Sequence, residues 1–202
     1  MLFIYTLLII ASYFIGAIPT GVVLAKIFSG RDIRREGSGN IGATNVARVL
    51  GKKLGILTLA GDLLKGFFPV WIGFKLFSSL PVACLMGLTA FLGHLFPIYL
   101  GFMGGKGVAT ALGVFLYLSP VAILIEMVIF ASAVGIWKYV SLGSLCAAAT
   151  LPPVLIIIGS PKPVVLLSIV CALLIWIKHS SNIQRLLNGT EHKFGAKPAD
   201  SR

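Results

Sequence analysis

Seven apolar runs separated by short polar breaks constrain this chain more than any other feature. They are Leu2–Phe28 with Pro19 inside it, Leu54–Phe77, Pro81–Leu100, Val108–Leu118, Val121–Trp137, Leu142–Ile158 and Val164–Ile177. Most are near the ~20 apolar residues that a membrane-spanning helix needs. Of the 202 residues, 57% are apolar and 11% charged, against roughly 45–50% and 25% in a soluble domain. The reading is an all-α, polytopic membrane protein in one domain, 1–202, with no room for a second, water-soluble unit. Residues 196–202 are expected to form a loose tail. The first run lacks a basic leader and reads as an uncleaved helix, not a signal peptide. The cysteines Cys84, Cys146 and Cys171 lie singly in apolar runs, which predicts inert thiols and neither a redox pair nor a metal site.

Charge sets the topology. The net charge is +11, and in so apolar a chain this reads as cytoplasmic loops rather than a nucleic-acid surface. The fourth run, about a dozen residues at about 1.5 Å each, is short of a ~30 Å hydrocarbon core. It is either a short crossing or part of one helix kinked at Pro120. With seven crossings and the N-terminus outside, the inner side carries thirteen basic residues: six in Arg31–Lys53, Lys106, Lys138, and five from Lys178 to Arg202. The outer side carries two, Lys75 and Lys162. Merging the fourth and fifth runs leaves seven against eight. The positive-inside rule therefore favours seven helices, one of them short, and a cytoplasmic C-terminus. Three helix N-termini then open towards the cytoplasm, a setting suited to phosphate or carboxylate.

Three polar motifs fall on that side. The first is Glu36-Gly37-Ser38-Gly39-Asn40-Ile41-Gly42-Ala43-Thr44-Asn45-Val46-Ala47-Arg48. Its glycines allow backbone N–H groups to converge as in an anion nest, and Arg48 offers a fork for phosphate. A flexible connector whose charges only set orientation is the competing reading. The second, Gly101-Phe102-Met103-Gly104-Gly105-Lys106-Gly107-Val108-Ala109-Thr110, opens the fourth run. It departs from a nucleotide-binding loop because Gly107 stands where Ser or Thr belongs and no strand precedes it. It is a phosphate site at a helix start, or packing glycines with one topology lysine. The third runs from His179 to Glu191. His179, Asn182 and Arg185 share a helical face, and Glu191 is expected to pair with a basic loop residue. Asn188-Gly189-Thr190 matches a glycosylation acceptor but is expected in the cytoplasm. Ser141 reads as a helix cap; Ser144 lies deeper and is a candidate substrate contact.

Four ionisable residues lie at membrane depth, where insertion costs at least ~2.5–3.5 kcal/mol. Asp62 and Lys65, one turn apart, either pair with each other or line a substrate path. His94, about midway along the third run, is expected to lie far from the phosphate motifs and to bond between helices. Glu126 is expected towards the outer interface. No metal-ligand cluster appears, nor a Gly-x-Ser-x-Gly elbow, nor a His followed five residues later by Asp.

Together the motifs resemble the bacterial glycerol-3-phosphate acyltransferase family that uses acyl phosphate as donor, the PlsY family. The resemblance rests on Gly-Ser-Gly-Asn-x-Gly-Ala-Thr-Asn-x-x-Arg, Gly-Gly-Lys-Gly-Val-Ala-Thr, Val140-Ser141-Leu142-Gly143-Ser144 and His-x-x-Asn-Ile-x-Arg-Leu-x-x-Gly-Thr-Glu, in that order. It covers most of the chain. It implies a seven-helix enzyme of the bacterial cytoplasmic (inner) membrane with a cytoplasmic active site and no cofactor. The implied partners are fatty acyl phosphate, glycerol 3-phosphate, membrane lipid and, transiently, the enzyme that makes acyl phosphate. The implied catalytic set is Ser38, Arg48, Lys106, His179 and Asn182. The implied substrate-binding set is Asn40, Gly42, Thr44, Asn45, Gly104, Gly105, Gly107 and Ser144. On that reading the glycines around Lys106 form the glycerol-3-phosphate site, Arg48 and Lys106 hold phosphates, and Ser38, Asn45, Ser144 and Asn182 orient the reacting groups. His179 is either a general base or a positioning group. A transporter of phosphate-bearing metabolites is the other class of function. It requires a polar route through both halves of the bilayer, and the motifs lie on one side.

Overall fold

The structure, a computed structural model, describes residues 2–195. The expected tail at 196–202 lies outside them. Among the described residues every regular element is helical.

Helices begin and end where proline and glycine require it. α1 (Leu2–Ala17) and α2 (Thr20–Ser29) are one apolar run bent by 44° at Pro19. The polar stretch that follows holds a 3₁₀ turn at Ile33–Arg35 and an amphipathic helix, α3 (Ala43–Leu50). α4 (Lys52–Phe77) carries Pro69 inside it and spans about 39 Å at 1.5 Å per residue. α5 (Leu80–Leu95) stops because Pro97 bars the residue before it from helical geometry: Phe96 has φ −134° and ψ 61°. A 3₁₀ turn, Ile98–Leu100, leads into the second motif. α6 (Val108–Leu118) matches the fourth apolar run. α7 (Pro120–Trp137) opens on proline, a residue suited to a first helical position. Between them Ser119 has φ −155° and ψ 77°. α8 (Val140–Ile157), α9 (Lys162–Lys178) and a short α10 (Ser180–Leu187) follow, with a 58° bend between α9 and α10.

Four helices are individually long and apolar enough to cross a membrane; counting each bent pair as one span gives up to six, with α6 as a shorter apolar helix. Val121, Leu124 and Val128 on α7 are each more than half exposed. A helix that turns such side chains outward is solvated by lipid, not water.

Glycine sets the closest helix crossings, as is common where lipid supplies no hydrophobic drive for association. A Cβ on Gly16 of α1 would lie 1.9 Å from the Ala90 carbonyl oxygen of α5. A Cβ on Gly113 of α6 would lie 1.9 Å from the Leu63 oxygen of α4. Phe91, Leu95, Val114, Phe115 and Leu155 fill the apolar core between these pairs.

Three contacts show that α6 and α7 double back on each other. Lys106, before α6, donates to Asn182 of α10. Ser141, after α7, donates to Glu191, and the Phe194 N–H bonds the Lys138 carbonyl. The loops before α6, after α7 and after α9 therefore meet at one end of the bundle.

Candidate functional site

The first motif is a loop built around a buried amide. Asn45, in the first turn of α3, has its side-chain Nδ2 donating to the carbonyls of Asn40 (2.9 Å), Glu36 (3.0 Å) and Ile33 (3.3 Å). Its Oδ1 accepts from the Ser38 N–H at 2.9 Å. Gly37, at φ +58°, lies so close that a Cβ would be 2.3 Å from that oxygen. These bonds use both amide protons, so Asn45 shapes the loop from beneath and does not reach out to a ligand. Asn40 acts similarly, its Oδ1 accepting from the Gly42 N–H at 2.8 Å. The exposed side chains are Ser38, Thr44 and Arg48. Thr44 and Arg48 are one helical turn apart on α3.

The second motif is pressed onto the end of α5. The Gly105 N–H donates to the His94 carbonyl at 3.1 Å. A Cβ on Gly104 would lie 2.2 Å from that same oxygen, and one on Gly105 would lie 2.1 Å from His94 Nε2. Gly107, at φ +85°, caps α6 and would drive a Cβ to 2.4 Å from the Phe91 ring. Glycine here permits close approach as well as unusual dihedrals. This corrects the expectation for His94. Because α5 ends at Leu95, His94 sits in its last turn, directly under the glycine-rich loop.

The third motif supplies the junction. The Lys106 ammonium donates to Asn182 Oδ1. Asn182 Nδ2 donates to Glu191 Oε1 at 2.7 Å, and Ser141 Oγ donates to the same oxygen at 2.8 Å. Arg185 Nε donates to Glu191 Oε2 at 2.7 Å. Glu191 thus gathers three side chains from two elements. Burial pushes its carboxyl pKa up, but the bonds from Asn182, Ser141 and Arg185 outweigh this and the net shift is downward. Ser144 is buried and donates to the Val140 carbonyl at 2.9 Å.

Electrostatics tie in the remaining groups. Burial, opposed by the charge of Glu191 and aided by those of Arg185 and Arg48, brings the Lys106 pKa down to about 8. Three cations thus face one carboxylate, which leaves the cluster short of anionic charge. His179, buried at the bend between α9 and α10, is lowered to about 4, first by burial and then by the charge of Lys106. Its Nδ1 lies 2.8 Å from the Ile175 carbonyl. A carbonyl only accepts, so Nδ1 carries the proton and Nε2 keeps a lone pair.

The structure brings together Arg48, Lys106, His179 and Asn182 with Arg185, Glu191 and Ser141. No hydrogen bond joins Ser38, Asn40, Gly42 or Thr44 to this group. Ser141 is not the expected helix cap: Tyr139 occupies that position, and Ser141 is buried against Glu191. Glu191 pairs with a basic residue as expected, but with Arg185 on α10 rather than one in a loop, and it also holds Asn182 and Ser141. Glu126 is buried within the bundle and accepts from Thr150 of α8 at 2.6 Å. No group of three or more potential metal ligands occurs among the described residues.

The family model for glycerol-3-phosphate acyltransferase matches residues 6–189. A glycerol-3-phosphate acyltransferase of Syntrophotalea carbinolica is 52% identical over 194 residues, covering 95% of this chain and 98% of that protein. One from Aquifex aeolicus is 46% identical over 189 residues, covering 93% and 97%. Among solved structures, the crystal structure of PlsY (YgiH), an integral membrane glycerol 3-phosphate acyltransferase, in its glycerol 3-phosphate form superposes with a TM-score of 0.90. It is 45% identical and covers 95% of this chain and 96% of that one. The lysophosphatidic acid form gives a TM-score of 0.87 at 44% identity, covering 95% of each chain.

Proposed function

Because the chain belongs to the glycerol-3-phosphate acyltransferase family, we propose that it moves a fatty acyl group from acyl phosphate to the 1-hydroxyl of sn-glycerol 3-phosphate. The observation that carries this is the junction of Arg48, Lys106 and Arg185 around a single carboxylate at one end of a membrane bundle. Both reactants bring phosphate there, and the acyl chain can lie among lipid-facing helices. The hydroxyl oxygen bonds the acyl carbonyl carbon, the bond from that carbon to the phosphate oxygen breaks, and lysophosphatidate and inorganic phosphate leave. The donor is already activated, so the protein contributes mainly orientation and charge stabilisation. Arg48 and Lys106 hold phosphates, with backbone N–H groups of 39–45 and 104–107 assisting. Ser38, Thr44, Ser144 and Asn182 surround the reacting groups, and Asn40, Gly42, Asn45, Gly104, Gly105 and Gly107 shape the two loops.

The hydroxyl proton goes to His179 Nε2 or to a phosphate oxygen. An imidazole with a pKa near 4 is neutral at pH 7 but holds a captured proton poorly. That favours the phosphate oxygen as acceptor, with His179 orienting the hydroxyl. His179→Gln is therefore expected to keep kcat within about tenfold of the parent, whereas loss of a general base costs ~10²–10⁴-fold. Steady-state rates at saturating donor distinguish the two.

Lys106 also sets an alkaline limit. Its charge is present below about 8 and lost above, where an ordinary lysine, at 10.5, would keep it. With glycerol 3-phosphate limiting, kcat/KM should fall about tenfold per pH unit above about 8, since this parameter reports the free enzyme. The limit should vanish in Lys106→Arg, whose guanidinium stays charged throughout.

We read the bundle as seven crossings: α1 with α2, then α4, α5, α6, α7, α8 and α9. The N-terminus is outside and the site faces the cytoplasm of a bacterial inner membrane. The basic loops and the doubling back of α6 and α7 support this. A thiol introduced at exposed Thr190 should react from the cytoplasmic side only; labelling from outside intact cells would reverse the orientation.

The function is tested with pure protein in detergent. Acyl phosphate plus glycerol 3-phosphate should release phosphate with no sealed compartment present, which a transporter would not do. Acyl-CoA and acyl-carrier protein offered in competition should not replace the donor.

A further inference from the structure

Beneath the glycine-rich loop lies a group of ionisable side chains that the reaction does not touch. Asp62 and Lys65 on α4 and His94 on α5 are all buried. Lys65 Nζ lies 2.8 Å from Asp62 Oδ1 and donates at 2.7 Å to the Ile18 carbonyl, at the Pro19 bend between α1 and α2. His94 Nδ1 lies 3.7 Å from the same Asp62 oxygen. The opposite edge of the imidazole meets the loop: it is Nε2 that a Cβ on Gly105 would strike, at 2.1 Å. The His94 carbonyl meanwhile holds the Gly105 N–H at 3.1 Å.

Buried ionic groups are a poor way to gain stability, because desolvation offsets most of their attraction. This group places Asp62, paired with Lys65, 3.7 Å from one edge of a ring whose opposite edge is the surface on which Gly105 rests. We propose that His94, backed by the Asp62–Lys65 pair, is the seat of the glycine-rich loop and a positioning residue for glycerol 3-phosphate. The inference rests on the acyltransferase reading above and adds a residue to it. Lys65 extends the same support to the other phosphate-holding loop. Its partner, the Ile18 carbonyl, stands at the start of α2, and Gly21 of α2 packs so closely that a Cβ would lie 2.1 Å from the Ile41 carbonyl in the first motif.

A double-mutant cycle between His94 and Gly105 tests this. Kinetics are measured with each substrate varied in turn. His94→Ala should raise the KM for glycerol 3-phosphate about tenfold, with kcat and the KM for acyl phosphate within about threefold of the parent. Gly105→Ala should raise that KM further, because its methyl runs into the ring. In His94→Ala/Gly105→Ala the methyl gains space, so the KM should fall below that of Gly105→Ala alone. If the truncation yields no folded protein, His94→Gln and His94→Asn enter the same cycle, with partial relief expected in the order of side-chain size. Additive effects, equal rises in both KM values, or a loss confined to kcat would overturn the proposal. A parent protein that does not turn over glycerol 3-phosphate would sink the acyltransferase reading and this inference with it; a normal parent with additive variants sinks the inference alone.

Discussion

Lys106→Met is expected to lower kcat/KM for glycerol 3-phosphate by about a thousandfold or more. Methionine keeps the apolar stem and removes the ammonium. The loss has two parts. One is the charge-assisted bond to a substrate phosphate, roughly twice as strong as a neutral one. The other is stabilisation of charge gathering on the departing phosphate, where loss of a single preorganised donor costs ~10²–10³-fold. The surroundings add to this. With Lys106 gone, Asn182 loses a partner, and the cluster keeps Arg48 and Arg185 against Glu191. KM and kcat measured separately show how the loss divides between binding and chemistry. A fall of less than tenfold would remove Lys106 from the reaction.

Gly113→Leu is expected to abolish most of the folded protein. The crossing of α4 and α6 brings backbone to backbone, and even one carbon at Gly113 would sit 1.9 Å from the Leu63 oxygen. Neither helix can yield locally, so the two axes must part. Overpacking of one or two methylenes already costs ~1–3 kcal/mol, and leucine adds more than that against a total stability of ~5–15 kcal/mol. Monodisperse protein recovered from detergent should fall at least about tenfold. Gly135→Leu is the control: a Cβ there meets nothing within 4 Å, on the exposed face of α7, and the yield should hold.

These two residues show where the sequence is legible and where it is not. Spans follow from apolar runs, because lipid demands them, and the fourth run coincides with α6 from Val108 to Leu118. The pairing of Asp62 with Lys65 is local, three residues along one helix, and so was open to reading. The placement of His94 was not. Reading the run Pro81–Leu100 as one helix puts His94 near its middle, but Pro97 ends the helix early, leaving His94 at the bundle end. The polar stretch before α4 hides the short helix α3, whose Asn45 turns inward to its own loop. Gly113 reads as nothing in particular until Leu63 is known to be its neighbour. Glu191 likewise gains its importance from Ser141, 50 residues away. Partners brought together by helix crossings leave no mark in a linear chain.

The position of Glu191 has a consequence for how such a protein is made. It follows all the membrane helices in chain order, yet it gathers Asn182, Arg185 and Ser141. In chain order the lysine of the second motif comes 76 residues before its partner Asn182, so it is laid down well before that bond can form. No partly inserted intermediate therefore holds a finished reaction centre. Assembly and activation coincide in a single late event, the folding of a few residues against the membrane surface.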